Sequence, residues 1–119
     1  MKYLTVEDYQ SSIFSLNSNN ANLEKFITLA EQDIEIISSI QNIENLSNYQ
    51  KEIVRNVLIQ HTDFIIENYD YIYSIIDDYT TLETSYKIGS KNCISINGVF
   101  ILKKLYVLLI KAGVINSKC

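Results

Sequence analysis

The sequence predicts a mainly α protein, a small helical bundle of about four helices with a β-hairpin or extended segment before the last helix. Three observations lead there. Proline is absent and glycine occurs only three times in 119 residues, which favours long elements joined by short connections. Apolar residues recur at i, i+3 and i+4 through most of the chain. Between residues 84 and 96 that period gives way to alternation. The length and the 47% hydrophobic content suit one domain, residues 1–119, with a core of its own.

Thr5 opens the first helix. Its hydroxyl can cap, and Glu7 and Asp8 follow where a helix N-terminus favours negative charge, so a short helix is expected to about Ser15. Residues 17–20, Asn-Ser-Asn-Asn, read as a turn. Asn20 then caps a second helix over about residues 21–39, with a stripe of Leu23, Phe26, Ile27, Ala30, Ile34 and Ile37, widened by Leu29, Ile36 and Ile40. Residues 41–46 connect it to the longest helix, which Ser47 caps.

That third helix, residues 47–69, is the organising element. At about 100° per residue, Tyr49, Ile53, Val54, Val57, Leu58, His61, Phe64 and Ile65 fall on one half of its circumference. Lys51, Glu52, Arg55, Asn56, Gln60, Thr62, Asp63 and Glu67 fall on the other. Ile59 and Ile66 lie one above the other among those polar residues. Stacked apolar side chains on a charged face imply a second packing surface, met either by another helix of the same chain or by a neighbouring subunit. His61, in the apolar stripe, is expected as a core histidine with one satisfied nitrogen. Past Tyr69 a tyrosine-rich stretch either continues the helix for a turn or two or leaves it.

In residues 84–96 a three-residue loop, Ser90-Lys91-Asn92, sets Tyr86 opposite Ile96 and Ile88 opposite Ile94, and puts all four on one face. A lone hairpin is marginal in water, so it must pack on the helices or on another copy. Asn97 is expected to cap a last helix over about residues 98–112, stopped by Gly113. That helix is apolar around most of its surface, with Lys103, Lys104 and Lys111 on the remaining arc beside Phe100 and Val107. Residues after the glycine, Val114 and Ile115 among them, are expected to add little to the core.

Charge is unevenly distributed. Residues 1–83 hold all fourteen acids and four basic residues, a balance of 4 − 14 = −10. Residues 84–119 hold six lysines and no acid, a balance of +6. Such asymmetry suits head-to-tail association or presentation of the basic end to an acidic partner, unless the two parts neutralise one another within the fold. The N-terminus has no signal-peptide pattern. The most apolar run, residues 99–110, is too short to span a bilayer and carries Lys103 and Lys104, so a soluble, unexported protein with no membrane partner is expected. Cys93 and Cys119 form neither a metal spacing nor a disulfide framework and read as free thiols.

No P-loop, HExxH, GxGxxG or local Cys–His pairing occurs, and Asp77 and Asp78 point about 100° apart on a helix, so no enzyme activity, metal or cofactor is expected. Six lysines without an arginine in the basic segment do not make a nucleic-acid groove.

The order of these segments resembles the small head–tail connector proteins of tailed bacteriophages, of the portal-adaptor type. The similarity lies in a short helix like TVEDYQSSIF and a helix like LEKFITLAEQDIEIISSI, then a helix opening NYQKEIVRNVLIQHTDFIIEN. The extended Ser85-Tyr86-Lys87-Ile88-Gly89 segment, the alternation Ile94-Ser95-Ile96 and a closing LYVLLIKAGVI complete it. The resemblance implies a structural virion protein, assembled in the host cytoplasm and catalysing nothing. Subunits of this type form a ring, with about twelve copies, whose closure needs two unlike complementary faces on every subunit. The ring docks under the portal protein, meets the next connector or tail component, and extends a channel through which DNA passes with weak, non-specific contact. Candidate subunit and portal contacts are Ile59, Ile66, Tyr86, Lys87, Ile88, Lys91, Lys103, Lys104, Lys111, Val114 and Ile115. The alternative is a small bacterial helical regulatory module acting as a dimer, which explains the helices and the Ile59/Ile66 pair but does not call for the segment from Ser85 to Ile96.

Overall fold

The computed structural model describes residues 3–38, 43–78, 85–88 and 91–115. Four helices and a three-stranded antiparallel sheet follow one another as α1 (Val6–Gln10), α2 (Leu23–Ile37), a 3-10 turn (Ile43–Asn45), α3 (Asn48–Asp78), β1 (Ser85–Ile88), β2 (Lys91–Ile96), β3 (Val99–Leu102) and α4 (Lys103–Lys111). The protein is mainly α, with the sheet inserted before the last helix. None of the helices, among the described residues, is long and apolar enough to cross a membrane. Ser39, Ile40, Tyr79, Thr84, Gly89, Ser90, Lys118 and Cys119, and the side chains of residues 71–78, 85–88 and 91, lie outside what is described.

Two helix starts follow from reciprocal capping. The Asp8 amide donates to Thr5 Oγ1 at 3.0 Å and the Thr5 amide to Asp8 Oδ2 at 3.4 Å. The Gln50 amide donates to Ser47 Oγ at 3.1 Å and the Ser47 amide to Gln50 Oε1 at 3.0 Å. Helix α1 ends at Gln10, five residues before the expected end. Ser11 Oγ bonds back to the Glu7 carbonyl at 2.9 Å, and this local alternative competes with further helix. Helix α2 begins at Leu23 rather than Ala21. Asn20 Oδ1 accepts from the Asn22 amide at 2.7 Å, so its side chain closes the preceding turn and does not cap the helix.

Helix α3 both continues past Tyr69 and breaks near it. Asn68 has φ −129° and ψ 19°, outside the helical region, and its Nδ2 donates to the Phe64 carbonyl at 3.0 Å. The side chain occupies the acceptor that the helix ladder would use, which accounts for the kink. Before the kink the helix is buried on every side: Val57, Leu58, Ile59 and His61 to Ile65 are all buried. Helix α2 packs along it, with His61 Nε2 2.8 Å from Asp33 Oδ2. His61 Nδ1 has no partner among the described residues, so the ring is a core residue with one satisfied nitrogen, as its position in the stripe implies. Near the kink, Phe26 and Tyr69 meet edge to face at 5.5 Å, and Lys25 Nζ lies 4.9 Å from the Tyr69 ring centroid.

The sheet departs from the expected hairpin in register and in strand number. Ser85 pairs with Ile94, Tyr86 with Cys93, Lys87 with Asn92 and Ile88 with Lys91, so Asn92 belongs to a strand and not to a loop. Ile88 thus meets Lys91 and not Ile94, three positions from the expected register, and a shift by an odd number exchanges the two faces of a strand. The inward side of β2 is accordingly Cys93 and Ser95, both buried, while Ile94 and Ile96 are half-buried.

A third strand replaces the first turns of the expected last helix. Asn97 and Gly98 both have positive φ, 53° and 82°, the requirement of a two-residue hairpin turn, so Asn97 turns a hairpin instead of capping a helix. All four residues of β3 are buried, and the strand touches α2, α3 and α4. Phe100 therefore sits in the core and not on a helix face beside the lysines.

Helix α4 closes on Gly113 at φ 80°, as expected. The Gly113 amide donates to the Ile110 carbonyl at 3.0 Å and the Val114 amide to the Leu109 carbonyl at 3.2 Å, which is a Schellman motif. Such a motif commonly pairs apolar residues at the positions held here by Leu109 and Val114, and both are buried. Ile115 is buried too, so this tail is part of the core, contrary to the expectation that it adds little. Gln50 Nε2 donates to the Ala112 carbonyl at 2.9 Å, tying the end of α4 to the start of α3.

Candidate assembly surfaces

The segment between α1 and α2 is built inside out. Its Leu16 amide and Asn17 side chain turn toward α3, while its large apolar side chains face outward. Asp63, buried in α3, accepts from the Tyr9 hydroxyl, from the Leu16 amide at 3.1 Å and from Asn17 Nδ2 at 2.9 Å. The Tyr9 hydroxyl in turn accepts from the Asn17 amide at 2.9 Å. Burial, with the Asp63 hydrogen bond second, pushes the Tyr9 phenol up to about 12 from 10.0. Local bonds fix the rest. The Phe14 amide donates to Ser12 Oγ at 3.0 Å, the Ser15 and Ser18 hydroxyls lie 3.0 Å apart, and Gln10 Nε2 donates to the Ser18 carbonyl at 3.0 Å. Upon this scaffold Ile13 is 91% exposed, Leu16 69% and Phe14 43%. Three large apolar side chains within four residues thus stand in water on a hydrogen-bonded loop. Asn17 Nδ2 lies 3.4 Å from Glu67 Oε2, and Glu7 precedes the loop in α1; both acids are exposed.

A second apolar surface lies at the junction of the sheet with α4. Leu105 and Leu109 point into the core. Lys104, Val107 and Leu108, spaced i, i+3 and i+4, line one side of a groove of about 690 Å³ together with Asn92, Leu102 and Lys103. Val107 is 37% exposed. The helix starts directly from β3, with Leu102 at the N-cap making no side-chain cap and no acid in the first turn. Two exposed lysines therefore occupy the end of the helix where the macrodipole favours anions.

The residues singled out from the sequence divide into three groups. Ile59 is 1% exposed and Ile66 is half-buried against the core. The second packing surface of α3 is thus covered within the subunit, and Ile59 is not an interface residue. It lies one turn before Asp63, on the side where the α1–α2 segment crosses. Val114 and Ile115 are likewise core residues. Lys103, Lys104 and Lys111 are exposed on α4, the first two at the groove. Tyr86, Lys87 and Ile88 lie on β1 and Lys91 opens β2, so these four gather at the outer hairpin of the sheet, where Lys91 pairs with Ile88 and Lys87 with Asn92.

Ile13 and Phe14 escape the sequence reading because they fall within the expected helix to about Ser15, which in fact ends at Gln10, and Leu16 lies just beyond it. Ile36 and Tyr49, assigned to apolar stripes, are also exposed. Tyr49 stands in the first turn of α3, before the core begins. Comparison of the chain with protein-family models, curated proteins and solved structures returns no match.

Proposed function

We propose that the chain is a portal-adaptor subunit of a tailed-bacteriophage virion. It docks as a ring beneath the portal protein, extends the DNA channel and offers a surface to the next connector or tail component, with no catalytic step and no cofactor. The observation that carries this reading is the position of Ser85–Ile88, the part of the sequence most like that family. It is the outer strand of the sheet, in the order β1-β2-β3, with β2 as its one neighbour among the described residues. An edge strand presents unpaired backbone groups to another chain, and natural monomers usually guard such edges. The separation of an acid-rich first part from an acid-free last part supports the same reading, because a ring needs two unlike faces on each subunit. An isologous dimer of a regulatory module needs only one self-complementary patch.

The test is co-expression with the portal protein, followed by sedimentation and electron microscopy. A ring of this chain on the portal is expected. Lys87→Glu combined with Lys91→Glu weakens docking, and raised salt has the same effect because exposed charges are screened. Failure to co-sediment with the portal at any salt concentration sinks the reading.

A further inference from the structure

The two apolar surfaces are complementary, and we propose that they bind one another between copies: the loop carrying Ile13, Phe14 and Leu16 seats in the Leu102/Val107/Leu108 groove of the next subunit. This deepens the ring reading by naming a contact between subunits, and rests on that reading for closure of the chain of contacts into a ring.

Shape is the first reason. The loop exposes three large apolar side chains, and the groove, bordered by Leu102, Val107 and Leu108, is large enough at about 690 Å³ to take such side chains. Charge is the second. Glu67 stands beside the loop at Asn17 and Glu7 precedes the loop in α1, whereas Lys103 and Lys104 line the groove at a helix N-terminus that lacks an acid of its own. A docked loop brings carboxylates to that end of α4, where both the lysines and the macrodipole favour them. Preorganisation is the third. The loop is already held by Tyr9, Asp63 and the serine hydroxyls, so docking freezes little additional backbone. The loop and the groove lie on different elements and share no residue, so each copy can offer both at once. The resulting contact is heterologous and leaves one loop and one groove free at the two ends of any open assembly.

The geometry dictates a complementation experiment on the full chain. Phe14→Asp disables the loop and keeps the groove, while Val107→Asp disables the groove and keeps the loop. Both positions are partly exposed, and thermal melting reports whether each variant is folded. In sedimentation velocity, each variant alone is expected to associate at least about tenfold more weakly than the unaltered chain. Mixed in equal amounts, they are expected to form dimers and nothing larger, since one working loop meets one working groove. A second measurement avoids dependence on folding of the charged variants. In a Cys119→Ser background, a chain carrying Phe14→Cys and Val107→Cys together forms a covalent ladder on mild oxidation, and either cysteine alone does not. If the unaltered chain associates, both Asp variants associate equally well and no ladder forms, the contact is wrong while the ring reading stands. If the chain stays monomeric throughout and no ladder forms, the contact is equally overturned, and co-assembly with the portal decides the ring reading separately. Capture of an acidic peptide from another protein by the groove, without self-association, also overturns it.

Discussion

The Tyr9 hydroxyl donates to the Asp63 carboxylate, joining the first helix to the middle of the third across 54 positions of sequence. A buried carboxylate needs several donors, and here they come from Tyr9 and from Leu16 and Asn17 of the loop that follows α1. Tyr9→Phe removes one donor to Asp63 and the acceptor of the Asn17 amide. A loss of about 1–3 kcal/mol is expected. Hydrogen exchange should accelerate at the Leu16 and Asn17 amides and leave the middle of α3 protected. Uniform acceleration along the chain would show that the pair holds the whole fold and not the loop.

The same pair gives a pH dependence whose sign is fixed. The Tyr9 phenol titrates near 12 when folded and near 10.0 when unfolded, because burial and Asp63 disfavour the phenolate. Between these values the unfolded chain has released a proton that the folded chain retains, so stability falls as pH rises. Its contribution is complete below about pH 10 and lost by about pH 12. The informative quantity is the difference between the unaltered chain and Tyr9→Phe. The melting temperature of the former should fall more steeply across this window, and parallel profiles would exclude Tyr9 as the cause.

The β2–β3 turn tests why part of the sheet is hidden in the sequence. Ser47 with Gln50 and Thr5 near Asp8 are legible, because capping is local and its residue types are few. His61 is legible because its place in the stripe decides its burial. Asn97-Gly98 is also a hairpin signature, yet the apolar run that follows it has no alternation, since β3 is covered on both faces and contacts three helices. A buried strand and a buried helix look alike over so few residues. Asp63 could not be assigned to the interior, because the groups that satisfy it come from Tyr9, Leu16 and Asn17, far away in sequence. Gly98, at φ 82°, should be intolerant of a side chain: Gly98→Ala is expected to cost about 1–2 kcal/mol. Asn97→Gly, at φ 53°, should be close to neutral. Equal effects at the two positions would contradict the turn geometry.

The C-terminal tail behaves as core. Removing the residues after Gly113 deletes the Val114 amide that closes the Schellman motif, and with it two buried apolar side chains. Burial of such side chains stabilises by about 1.5–3 kcal/mol each, so the truncated chain should lose roughly 3–6 kcal/mol. Denaturant titration reads this directly. A truncated chain with an unchanged midpoint would mean that Val114 and Ile115 are dispensable, as their place beyond the glycine first suggests.

Ile59 and Phe14 should separate stability from assembly in opposite directions. Ile59 belongs to the fully buried middle of α3, so Ile59→Ala opens a cavity and should cost about 2–5 kcal/mol. Ile66 is only half-buried beside the kink at Asn68, and Ile66→Ala should cost less than Ile59→Ala. Neither substitution touches the loop tip or the groove, so the protein that remains folded should keep its association state. Phe14→Asp exchanges an exposed ring for a charge; its melting temperature should scarcely move while association weakens. Melting and sedimentation on the same samples resolve the matter. If Ile59→Ala disperses the assembly at a temperature where the subunit is fully folded, the stacked isoleucines of α3 face a neighbour after all, and the covering of that face by the subunit's own N-terminal segment is incomplete.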